Sequence, residues 1–82
     1  MEIKLVTGSF EQREALDLIT RLIDVKIRFH EERIRKSDQE EDIKQRETKI
    51  IRLQQDLYTI RQELGRSDKR VSIDAELNVR FD

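Results

Sequence analysis

The sequence predicts an α+β domain of order β-α-α-β: a long antiparallel helical hairpin packed on one face of a small antiparallel sheet, completed by dimerisation. Three observations carry that prediction. Apolar residues recur every seven positions along residues 43–64, alternate with polar ones along residues 71–82, and the charge changes sign around Ser37. The first pattern is a helix seam, the second a strand with one covered face, the third two helix ends meeting.

The totals agree. Charged residues make up 43% of the 82-residue chain and hydrophobic ones 35%, with no proline and two glycines, a blend that belongs to long helices. Strict periodicity and a near-balance of 17 basic against 18 acidic residues argue against disorder. A single domain over 1–82 stands near the size where one core yields only a few kcal/mol, so helix packing or oligomerisation must do the work of staples. Without cysteine, disulfides and thiolate metal sites are excluded. No basic segment followed by an apolar run suggests a secretory signal, and no run approaches the ~20 apolar residues that span a bilayer. The expectation is a soluble cytoplasmic protein without membrane contact.

Residues 2–7 alternate, with Ile3 and Leu5 on one face, and predict a short strand ending at Gly8. Ser9 with Gln12 three residues on has capping-box spacing, so the first helix is expected over 9–36. Its apolar residues, from Ala15 through Leu18, Leu22, Val25 and Phe29 to Ile34, cover an arc of roughly 200°, wider than one partner helix needs. Arg33, Arg35 and Lys36 precede Ser37, and Asp38, Glu40, Glu41 and Asp42 follow it. Basic residues suit a helix C-terminus and acidic ones an N-terminus, so the chain is expected to turn there. One continuous helix of about 55 residues, some 80 Å long, is the alternative.

The second helix is expected over 38–64, capped by Ser37 with Glu40 and closed by a left-handed Gly65. Ile43, Ile50, Leu53, Leu57, Ile60 and Leu64 form its seam, which Arg46 interrupts. A final strand over 71–81 carries Val71, Ile73, Ala75, Leu77, Val79 and Phe81 on one face. It looks about twice as long as the first strand. Unpaired backbone on it would then seek another chain, which a four-stranded sheet shared by two copies would supply.

Each chemically capable residue also has a plainer role. His30 is the only histidine; zinc takes three or four Cys, His or carboxylate ligands, so a hydrogen-bonded histidine at the edge of the apolar arc is favoured over a metal ligand. Lys26 and Arg33 lie along the arc as candidate anion ligands in a groove, but the favoured reading has their stems covering apolar surface while the charged heads reach water or a carboxylate. Arg46 either fixes helix register or sits where the hairpin has splayed into solvent. Residues 28–52 are rich in Arg and Lys, but Glu31, Glu32, Asp38, Glu40, Glu41, Asp42 and Glu47 share that segment and the chain is net −1. Nucleic-acid binding through this tip is therefore the alternative function rather than the leading one. Gly8-Ser9 lacks the further glycines of a phosphate loop, and none of Ser9, Ser37, Ser67 and Ser72 sits in a nucleophile elbow.

The sequence thus points to no catalytic, cofactor or metal residues. It points to a non-catalytic homodimeric interaction or adaptor module with a protein partner. The residues expected to carry contact are Leu18, Leu22, Val25 and Phe29 of the first helix and Val71, Ile73, Leu77, Val79 and Phe81 of the last strand.

Overall fold

A computed structural model of residues 1–82 has the order β1 (Glu2–Phe10), α1 (Gln12–Lys36), α2 (Glu40–Gly65) and β2 (Val71–Asn78). The chain turns at residues 37–39, as the charge switch predicts. Basic Arg33, Arg35 and Lys36 close α1 and acidic Glu40, Glu41 and Asp42 open α2, each matching the nearby helix dipole. No helix is long and apolar enough to cross a membrane.

Several boundaries differ from the sequence expectation, each for a local reason. β1 runs through Gly8 to Phe10 instead of ending at residue 7. A bulge between Lys4 and Val6 resets the alternation, so Val6, Gly8 and Phe10 continue the face that Ile3 begins. Gly8 takes φ 152°, open mainly to glycine, although an added Cβ would meet the Phe10 ring only at an ordinary 3.7 Å. The α1 cap therefore moves from Ser9 to Glu11, whose N–H donates to Glu14 Oε1 at 3.3 Å. Ser9 instead receives Arg70 Nε on its hydroxyl at 3.0 Å and Arg70 Nη2 on its carbonyl at 2.9 Å.

Ser37 does not cap α2 with Glu40. Its hydroxyl accepts the Gln39 N–H at 3.2 Å, and the helix starts two residues later than expected. Gly65 is the last helical residue and has no left-handed φ; the helix closes through Arg66 N–H to the Glu63 carbonyl at 3.3 Å. β2 ends at Asn78 rather than residue 81. Beyond it Val79 still exchanges two 2.8 Å hydrogen bonds with Met1, one from each backbone nitrogen.

β1 and β2 pair antiparallel from Glu2–Asn78 to Phe10–Val71. The expected mismatch of strand lengths is overturned: β1 has nine residues and β2 eight, so no stretch of β2 lies unpaired beyond β1. What stays open is the outer edge of each strand, since the sheet has two strands only.

Helix contacts helix and strand contacts strand, while the helical layer meets the sheet sparsely, through α1. The molecule measures 46 × 32 × 14 Å. Its radius of gyration is 15.3 Å, against about 12 Å for a compact chain of this length. Only Ala15 and His30 are buried. A single copy does not close on itself.

Candidate interaction surface

The seam between the helices uses one apolar line from each. Ile43, Ile50, Leu53, Leu57, Ile60 and Leu64 of α2 are half-buried, as are Leu16, Ile19, Ile23, Ile27 and Ile34 of α1. His30 and Arg46 complete it. Each lies eight residues from Asp38, one before and one after, so the turn places them opposite each other. Arg46 Nη1 meets His30 Nδ1 at 3.0 Å, and the guanidinium also pairs with Asp42 at 3.3 Å. Of the two sequence readings of Arg46, the structure selects the seam residue.

A guanidinium can only donate, so His30 Nδ1 accepts and the neutral ring carries its proton on Nε2. That Nε2 is buried without a hydrogen-bond partner. The ring packs edge-on to Phe29, with centroids 5.7 Å apart. Burial first, and then the charges of Arg46, Lys49 and Lys26, hold the His30 pKa below its ordinary value.

α1 has a second apolar line beside the seam. Leu18 is half-buried, but Leu22, Val25 and Phe29 are 36%, 67% and 48% exposed. The spacing of four, three and four residues is that of a helix-packing stripe, here with no helix on it. Arg21 and Arg28 flank it, paired with Asp17 at 3.1 Å and Asp24 at 3.0 Å. At its end the Arg33 guanidinium lies 5.1 Å and that of Arg46 5.9 Å from the Phe29 ring centroid. It is thus the charged head of Arg33, rather than its stem alone as expected, that lies on apolar surface. Lys26 is exposed and borders a groove with His30, Lys49, Arg52, Leu53 and Asp56.

The strand candidates divide into two sets. Val71 and Ile73 are half-buried opposite Phe10 and Gly8. Leu77, Val79 and Phe81 are exposed, and Leu77 faces Ile3 across the ladder. Met1 and Leu5, toward the same end of the sheet, are exposed as well. The sequence reading did not assign Met1, Ile3 or Leu5 to a contact surface, because the bulge that carries β1 past Gly8 leaves no mark in composition. It also passed over Ile51 and Tyr58, exposed on the outer face of α2 and seven residues apart.

The largest cavity, about 630 Å³, opens at the hairpin tip between Phe29, Glu32, Arg33, Lys36, Asp42 and Arg46. Its charges are mixed, and Lys36 is already paired with Glu32 at 3.3 Å. No three His, Asp or Glu side chains converge where they could hold a metal ion. No protein-family model, curated protein or solved structure matches the chain.

Proposed function

We propose that the chain is a small, non-catalytic interaction module that works as a homodimer. One observation carries this reading. The accessible surface is 7191 Å², about 2,000 Å² more than a folded monomer of this mass exposes. Two such excesses sum to about 4,000 Å², within the range of obligate homodimer interfaces. The excess is apolar where it matters, on Leu22, Val25 and Phe29 of α1 and on Ile3, Leu5 and Leu77 of the sheet. A second copy laid against those surfaces would give the helical hairpin and the sheet the common core that one copy lacks. The open strand edges and the hairpin tip then remain for a protein partner.

Sedimentation equilibrium tests the dimer. The expected species is twice the 9.9 kDa of one chain at micromolar concentration. A stable, well-folded monomer there would end this reading.

A second reading, nucleic-acid binding through residues 28–52, draws on one feature: Lys44, Lys49 and Arg52 border one groove on α2, and none has a carboxylate partner. The net charge of −1 and the paired Arg46 and Lys36 weigh against it. A low-salt gel shift that disappears steeply with added salt would promote it.

A further inference from the structure

A basic groove of about 310 Å³ lies on one flank of the hairpin, bordered by Lys26 and His30 of α1 and by Lys49, Arg52, Leu53 and Asp56 of α2. We propose that it binds a phosphate-class oxyanion, held by Lys26, Lys49, Arg52 and the Nε2–H of His30. The hydrogen-bond logic of the seam leads there. Because Arg46 occupies Nδ1 as a donor, the ring proton sits on Nε2, on the side of the imidazole away from Arg46. His30 is 5% exposed, and no protein atom accepts from that N–H. A buried donor without an acceptor is costly, His30 borders the groove, and an anion oxygen that reaches Nε2 from there removes the cost.

Charge agrees with the hydrogen bonding. Lys26, Lys49 and Arg52 form no ion pair in the fold, so no carboxylate neutralises them in place. Asp56 is the one carboxylate at the groove, so the three cations outnumber it. Every group except Asp56 and Leu53 is a donor, which suits an acceptor-only ligand and repels a metal cation. Donors on two helices bordering one groove match the several oxygens of a tetrahedral oxyanion better than a single halide. Lys49 and Arg52 also border the adjoining groove with Lys44 and Thr48, which leaves room for the rest of a phosphomonoester. The site lies within one chain, so its test is separate from that of the dimer.

His30 is the only histidine, so its ring signals report the site alone. The full chain is titrated with inorganic phosphate at pH 7.5 and constant ionic strength, and the imidazole resonances are followed by NMR. A saturable shift is expected with phosphate and none with chloride. Lys49→Gln and Arg52→Gln, both at exposed positions, should each weaken binding about tenfold. Arg35→Gln, the same charge change outside the groove, should leave it unchanged. The proposal is overturned if chloride gives the same shift, if the shift never saturates, or if the Lys49, Arg52 and Arg35 variants titrate alike. Two groove variants are used so that a folding defect in one leaves the other to decide.

Discussion

Ile23, Ile27 and Ile34 lie on one line of α1, and Leu22, Val25 and Phe29 lie on the next. The first line is half-buried against α2, and the second faces out. The side chains are of one chemical kind, so hydrophobicity cannot explain the difference. A partner does: α2 offers a single narrow seam and can satisfy only one of the two lines. α2 itself shows the contrast from the other side, since outside its seam only Ile51 and Tyr58 are large and exposed. An apolar arc of roughly 200° on α1 is wider than α2 can cover, and the sheet, which α1 meets only sparsely, leaves the outer line exposed.

The largest expected effect separates the two lines directly. Ile60→Asp places a charge in the interhelical seam, within one helical turn of the carboxylates Asp56 and Glu63, and should abolish cooperative folding in a thermal melt followed by circular dichroism. Val25→Asp makes the same change on the outer line. If the proposed homodimer uses that line, the variant should raise its dissociation constant at least about tenfold by sedimentation while each chain keeps its helix signal. Equal loss of helix in both variants would show that fold and dimer form together.

Next comes the polar pair within the covered line. Arg46→Ala leaves His30 Nδ1 without its donor and should cost about 1–3 kcal/mol in denaturant unfolding. Replacing both residues by leucine should be close to neutral, because neither then strands the other. If the double variant is as unstable as the single one, the pair is not what joins the helices at that level.

Gly8→Ala should cost about 1 kcal/mol or more, since alanine disfavours a φ of 152°. This change probes the sheet and should leave the interhelical seam intact, with helix content unchanged.

The smallest effect is on pH. The folded His30 resists protonation, mainly through burial and then through Arg46, Lys49 and Lys26. Above the ordinary imidazole value of 6.5 both states are neutral and the ring contributes no pH dependence. As pH falls below that value the unfolded chain takes up a proton that the folded chain refuses, so stability declines. Denaturant midpoints between pH 8 and pH 5 should show this decline, and His30→Gln should flatten it.

Much of the architecture could be read from residue order. The charge reversal around Ser37 marked the turn, the seven-residue repeat marked the α2 seam, and the alternation after Arg70 marked β2. The errors cluster at element ends, where one hydrogen bond decides. Ser9 and Ser37 both have capping-box spacing, yet Ser9 receives Arg70 and Ser37 accepts from Gln39. Spacing in the chain cannot show which competing partner a hydroxyl meets.

Periodicity and charge, which act between neighbours along the chain, determined the four elements, their order and the presence of a second apolar line on α1. The fold alone decided that His30 faces Arg46, that β1 runs as far as β2, and which of the two α1 lines is left uncovered. Those outcomes depend on residues brought together across the turn or across the sheet, and the energy of such contacts belongs to the pair rather than to either residue.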